Sequence, residues 1–395
     1  MNERYADASA HAARPTIKVL HVAETAKGGV GSYIDDVAAL QIARHGEATV
    51  RVVLPDAHAA QLQRVPPAAQ RRFPFAAQRL LNTLRVSRAA LAQVREWQPD
   101  VVHLHSTLAG FALRPMLALR PGRPCVVYCA HGWAFEREGH ATVNRLFELV
   151  ERIWSHWCDV VVCVSQHERA AGVRIGIASQ RLALVNNGVR DVGAAVDVAA
   201  ARAGWPPGRR RVLFVGRLDR QKGVDVFLAA MRLLEGQAFA LIVGAAVVAD
   251  AAPLALPANV HILGWLGRDE IAACYAAAEV VVIASRWEAF SLVAVEAMRA
   301  GRAVVATAVG GLHDVVDDGV TGRLVPPGDA AALAAAVAAL GEDELQRLGR
   351  NGGRRYAQHF RIERVVDELE LLYARFALQR PAPSLAPATA SPLEP

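Results

Sequence analysis

An α/β fold of two parallel-sheet domains facing across a cleft follows from three features of the sequence. They are its length of 395 residues, valine-rich runs that alternate twice over with helical segments, and a Pro/Gly-rich break near the middle. Such a chain exceeds one ordinary hydrophobic core, because a domain usually holds about 100 to 200 residues. The apolar runs are unbroken rather than alternating, as expected of parallel strands covered on both faces.

In the first half the expected strands are 17–22, 49–54, 100–104, 125–130, 159–164 and 182–187. The stretch WPPGRRR punctuates the chain before a fresh strand, VLFVG, and the alternation resumes at 239–244, 259–264, 279–285 and 302–307. The expected division is a disordered lead at 1–15, an N-terminal domain at 16–190, a linker at 191–210 and a C-terminal domain at 211–360. A final helix at 361–379 and a disordered tail at 380–395 complete it.

Composition narrows the class. Hydrophobic residues make up 53% of the chain, yet no apolar run approaches the roughly 20 residues of a membrane span. The charged start has no apolar h-region, so no secretory signal is expected. Five cysteines without a CxxC pair read as buried thiols rather than a metal site or disulfides. A formal charge of +6 permits an anionic partner without identifying one.

From Gln61 to Arg95 there are seven arginines and no acid. From Phe75 onward, Leu80, Leu84, Leu91 and Val94 recur near helical spacing between arginines. Two readings stand: a solvated surface helix, or a patch that docks on anionic lipid headgroups.

Two strand-to-helix junctions of the second half suit a phosphorylated ligand. After VLFVG, the loop RLDRQKG carries Arg217 and Lys222, a planar fork and a point charge fit for a pyrophosphate. In SRWEAFSLVAVEAMRAG, Ser291 is a fitting N-cap for a helix starting at Leu292 and ending before Gly301. The free N–H groups of that helix start offer a second anion site. Glu288 and Glu296 share this loop and helix and so face one side of a ligand, unlike paired glycosidase carboxylates that flank a bond; they suit sugar hydroxyls.

These junctions, followed by AVGGLHDVVDDGVTGRLVPPGD, resemble the carboxyl-terminal signature of family 4 retaining glycosyltransferases of the GT-B fold. The glutamate pair matches that family's E-x7-E spacing. GGVGSY, PDVVHLHS, AHGWAF, VSQHERA and VNNGV extend the resemblance through the first half, so that it covers most of 16–375. The resemblance implies two Rossmann-like domains, the N-terminal one on the acceptor side and the C-terminal one holding the nucleotide sugar. It also implies a final helix that crosses back to the N-terminal domain.

By the same resemblance, Arg217 and Lys222 hold the donor's diphosphate, Glu288 the hydroxyls of the transferred sugar, and Glu296 the ribose. Phe290, Ser291, Leu292 and Val293 offer backbone groups, and Leu266 in GWLGR borders the base. A lone histidine after a strand is more often packed or capping; the motif match instead makes His131 the active-site histidine that faces the donor sugar. His103 reads as a core histidine.

The implied reaction is transfer of a hexosyl unit from a nucleotide-diphosphate sugar to an acceptor hydroxyl with retention, in cell-surface polysaccharide or lipid-linked glycan assembly. No cofactor, metal or nucleic acid is expected. The expected setting is the cytoplasm, at the inner face of a membrane touched through 61–95. Ala289 where the family has glycine, the sequence VGAAVVAD, and His313 depart from the family pattern. A non-catalytic sugar-nucleotide-binding protein and a sugar-nucleotide epimerase are the alternatives.

ETAKGGVGSY opens like a P-loop ATPase, which needs a lysine and a Ser/Thr directly after the last glycine; Ser32 and Tyr33 stand there instead. Gly28 and Gly29 are therefore expected to form a tight turn that brings backbone close to the donor phosphates.

Overall fold

The computed structural model describes residues 17–192, 197–202, 204–245 and 255–378. The sequence-expected lead at 1–15, the tail at 380–395 and most of VGAAVVAD lie outside the described residues.

The N-terminal half runs β1 (Val19–Ala23), α1 (Gly29–His45), β2 (Val50–Pro55), β3 (Gln70–Phe73), α2 (Arg79–Trp97), β4 (Val101–His105) and α3 (Thr107–Ala118). It continues through β5 (Cys125–Cys129), α4 (Ala141–Trp154), β6 (Val160–Cys163), α5 (Gln166–Arg174) and β7 (Leu182–Leu184). After the crossover come α6 (Val198–Arg202), β8 (Arg210–Val215), α7 (Val224–Leu233), β9 (Ala238–Val243), β10 (Val260–Gly264), α8 (Arg268–Ala277), β11 (Val280–Ile283) and α9 (Leu292–Arg299). The chain ends with β12 (Ala303–Thr307), α10 (Leu312–Val315), β13 (Gly322–Val325), α11 (Ala330–Ala339), α12 (Glu342–His359) and α13 (Ile362–Leu378).

Two sheets form, one of seven strands in the order β3-β2-β1-β4-β5-β6-β7 and one of six in the order β10-β9-β8-β11-β12-β13. Among the described residues every strand-to-strand pairing within these sheets is parallel, for example His21 opposite His103 and Val281 opposite Leu213. The strand order reverses at β1/β4 in the first sheet and at β8/β11 in the second, and at such points the strand ends open a crevice for ligands.

Two strands were not expected from the sequence, β3 (QRRF) and β13 (GRLV). Both are sheet edges. In both, polar or glycine positions break up the apolar run by which the other strands announce themselves: Gln70, Arg71 and Arg72 in β3, Gly322 and Arg323 in β13. In β3, Gln70 and Phe73 are buried while Arg72 is exposed.

Part of the expected linker at 191–210 is folded: α6 lies within it. Val198 and Ala201 of α6 pack into the core, and Trp205 is buried with its indole N–H donating to Val212 O at 3.3 Å. The helix lies against Arg268–Ala277, and the tryptophan ties the following residues to β8. Backbone hydrogen bonds join Val189 to the second passage there: Val189 N donates to Phe360 O at 2.9 Å, and Ile362 N donates to Val189 O at 3.2 Å. The two passages of chain between the domains thus lie side by side.

After the second passage α13 returns to the N-terminal domain. Ile362, Val365, Val366 and Leu369 are fully buried, and Arg44 of α1 pairs with Asp367 at 2.7 Å. Below the other face of that sheet, Arg114 of α3 donates to Glu151 of α4 at 2.8 Å, and the Tyr128 hydroxyl donates to the second oxygen of the same carboxylate at 2.9 Å. All three side chains are buried. Arg114→Met should lower stability by about 3–5 kcal/mol in urea unfolding, because it strands a buried carboxylate. Adding Glu151→Gln should recover most of the loss.

Candidate active site

The loops that leave β8 and β11 meet at the reversal point of the second sheet. Gly223 has φ +65°, and a Cβ there would lie 1.9 Å from Ala284 O, so only glycine lets the two loops touch. This contact sets Lys222 beside Glu288: the ammonium and carboxylate form an ion pair, and Ser285 Oγ donates to Glu288 Oε1 at 2.9 Å. Arg217 is paired too, with Asp219 at 3.0 Å and with Gln221 Oε1 at 2.6 Å. The two cations expected to grip phosphate are therefore balanced by local acceptors before any ligand arrives.

Ser291 caps α9 as expected, accepting from Ala294 N at 3.4 Å. Its φ of +87° is unusual for a residue with a side chain, and local strain of this kind concentrates at functional sites. Phe290 turns into the core against Phe360, with ring centroids 5.6 Å apart, so its backbone alone remains for a ligand. One turn into α9, Glu296 accepts from the Tyr275 hydroxyl at 2.7 Å. Burial pushes the Glu296 carboxyl up, against Arg299 and that hydrogen bond. Leu266 is partly buried before α8, beside the exposed Trp265.

The N-terminal domain supplies the facing wall. Gly28, at φ +60° and ψ −139°, turns the chain into α1. A Cβ on Gly29 would lie 3.5 Å from Leu292 Cδ1, which places the start of α1 against the start of α9. His131 follows β5 with φ +53°, and a Cβ on Gly132 would lie 3.2 Å from the Cβ of Ala289. The structure thus brings His131, Gly28 and Gly29 across from Glu288 and the α9 start.

Glu168 of α5 holds the His131 turn, accepting from Gly132 N at 2.8 Å and from Val164 N at 2.6 Å. Its carboxyl is pushed up to about 7, chiefly by burial. A signal for it existed: Ser165 and Glu168 have capping-box spacing, and Ser165 Oγ accepts from Glu168 N at 3.0 Å. Arg137, Tyr275 and Ser285 gave no such signal. Arg137 of the N-terminal domain is held below its ordinary value by the protein around it and by Arg217 and Arg79, which marks a cationic zone spanning the cleft.

The domains are also tied by Arg268, which donates to Asp35 at 2.8 Å and to Asp36 at 3.1 Å on α1. The Asp35 side chain is fully buried and also accepts from Arg64 N and Val65 N at 2.8 and 3.1 Å. Arg268→Ala should cost about 1–3 kcal/mol, the usual loss when a buried charged acceptor loses a donor, and should raise the radius of gyration in X-ray scattering. Arg64→Ala, confined to one domain, should destabilise without that opening.

Comparison with known proteins adds to this geometry. Residues 27–192 match the profile of Glycosyltransferase Family 4, and residues 197–355 that of Glycosyl transferases group 1. An uncharacterized 41.2 kDa protein in a cps region of Klebsiella pneumoniae is 28% identical over 316 residues, covering 78% of this chain and 86% of that relative. A D-inositol 3-phosphate glycosyltransferase of Mycolicibacterium gilvum is 43% identical over 144 residues, covering 33% of this chain and only 32% of the relative. Among solved structures, a sucrose-phosphate synthase from Thermosynechococcus elongatus superposes with a TM-score of 0.76 at 23% identity, covering 90% of this chain and 98% of that one. Anabaena HepE in complex with UDP-glucose gives 0.75 at 23% identity, with 90% and 99% covered. At these identities the likeness to solved structures shows the shared GT-B fold.

Proposed function

The chain belongs to glycosyltransferase family 4, and on that premise we propose that it moves a hexosyl unit from a nucleotide-diphosphate sugar to an acceptor hydroxyl, with retention and without a metal. The observation that carries this reading is the meeting of the Lys222–Glu288 pair with the His131–Gly132 turn across one cleft.

In the proposed complex the diphosphate draws Arg217 and Lys222 from Asp219 and Glu288. The freed Glu288 accepts from hydroxyls of the transferred sugar, while Glu296 and Tyr275 take the ribose. Backbone N–H groups of Ser291, Leu292 and Val293 add to the anion grip at the positive end of α9, and Leu266 borders the base. As the anomeric C–O bond lengthens, negative charge grows on the diphosphate, where these donors are already oriented. The acceptor oxygen attacks from the same face, and its proton passes to the departing phosphate oxygen.

Binding should be read as thermal protection by a panel of UDP-, GDP- and ADP-sugars, and transfer or donor hydrolysis by product analysis. Lys222→Ala should weaken protection about tenfold or more, the loss expected for a charge-assisted contact. Glu288→Ala should remove turnover, which should otherwise survive EDTA. Unchanged turnover in Glu288→Ala, or an isomerised free donor as sole product, would defeat the proposal.

The reading extends to cell-surface polysaccharide or lipid-linked glycan assembly on the cytoplasmic face of a membrane, supported by the relative in a cps region. Among the described residues, no helix is long and apolar enough to cross a membrane. On α2 the buried face is formed by Asn82, Val86, Ala90 and Val94, leaving Leu80 at 76% and Leu84 at 48% exposure. Leu119, just after neighbouring α3, and Leu146 on α4 also expose apolar side chains, at 84% and 61%. Arg79, Arg88, Arg145 and Arg152 are exposed on α2 and α4. Such a face suits anionic lipid. Leu80→Gln with Leu146→Gln should cut sedimentation with phosphatidylglycerol vesicles, and each Arg→Gln at 79 and 88 should weaken it by about 1 kcal/mol; unaltered sedimentation would remove the membrane from the reading.

A further inference from the structure

Behind His131 lies a chain of buried polar groups that the proposed chemistry does not use. His131 Nε2 is 2.9 Å from His105 Nδ1, His105 Nε2 is 3.0 Å from His21 Nδ1, and His21 Nε2 is 2.8 Å from Gln41 Oε1. The histidines come from three adjacent strands, β1, β4 and the end of β5, and Gln41 comes from α1 above them. His21 and His105 are fully buried and Gln41 nearly so. Burial lowers His21 and His131 to about 4 and holds His105 well below its ordinary value, so all three rings are neutral at pH 7.

A neutral imidazole has one N–H donor and one acceptor nitrogen, so such a chain can run in only one direction at a time. The end group sets the direction. Gln41 Oε1 is an acceptor and must receive the His21 Nε2–H. His21 Nδ1 then accepts from His105 Nε2–H, and His105 Nδ1 accepts from His131 Nε2–H. What remains is the lone pair on His131 Nδ1, an atom with no hydrogen bond to any described residue.

We propose that Gln41, His21 and His105 are positioning residues that hold His131 as its Nε2–H tautomer, so that it presents a hydrogen-bond acceptor to a sugar hydroxyl in the cleft. In this role His131 orients the hydroxyl and does not carry off its proton. This rests on the reading that His131 faces the transferred sugar. The residues also have a structural reach: His103, opposite His21 in the sheet, meets the Tyr373 hydroxyl of α13 at 2.7 Å, so the same layer joins the cleft to the returning helix.

The test is the tautomer itself, read by two-bond proton–nitrogen correlation NMR on histidine-labelled, ligand-free protein. In the unaltered protein His131 should be the Nε2–H form. Gln41→Met, close to isosteric but without the acceptor, and His21→Phe should each give a mixture. Each should lower kcat about tenfold with the donor selected from the nucleotide-sugar panel, with donor KM and thermal protection retained. An unchanged His131 tautomer in Gln41→Met and His21→Phe would overturn the proposal. So would a stoichiometric metal ion in the purified protein that is lost in His103→Leu, since a cation among His21, His103 and His105, whose nitrogens lie within 4.8 Å of one another, would displace the shared proton. His131→Ala separates the two readings: full turnover in that variant removes the role of His131, whereas lost turnover with unresponsive tautomers removes only the relay.

Discussion

The arrangement depends on one constraint, that a parallel strand must be followed by a crossover before the next strand can pair with it. Each crossover leaves its strand at the carboxyl end, so the connecting loops of both sheets gather there, and each sheet has one reversal point where neighbouring loops part. At β8/β11 the parted loops are those of Lys222 and Glu288; at β1/β4 they are the glycine turn and the segment after His105. The two crevices face each other because the chain passes between domains at 189 and 361 side by side and α13 fastens to the N-terminal domain. Remote packing thereby decides which loops confront one another.

Charge in the ligand-free cleft is balanced locally. Lys222 is matched by Glu288 and Arg217 by Asp219, which keeps partly desolvated cations from standing unpaired. In the proposed complex a diphosphate, with more negative charge than either carboxylate, replaces both and so releases Glu288 for hydroxyls. Arg268 does comparable work between the domains, where the buried Asp35 requires donors from both sides. On that reading the acidic partners are as much a part of the proposed phosphate site as the cations.

Much of this was legible in the sequence. Buried parallel strands wrote themselves as valine runs, and the caps and breaks of α9 were visible in Ser291 and Gly301, the latter observed at φ +66°. Two of the four edge strands, β3 and β13, were not visible, since arginines and a glycine break up their apolar pattern, and α6 was hidden because a proline-rich neighbour resembled a linker. The leucines of α2 showed helical spacing, but which of them met the core depended on where the sheet lay; Leu80 and Leu84 did not.

For the site the division has the same cause. Spacing within two strand-to-helix junctions singled out Arg217, Lys222, Glu288 and Glu296, a local property of the chain, whereas His131 was assigned by the family resemblance and not by its own local sequence. Tertiary structure decided that Lys222 rests on Glu288, that Gly29 approaches Leu292, and that Tyr275 holds Glu296. It alone assembled His131, His105, His21 and Gln41 into one hydrogen-bonded line, since side chains far apart in the chain become neighbours only through strand register and helix packing, which local sequence does not encode.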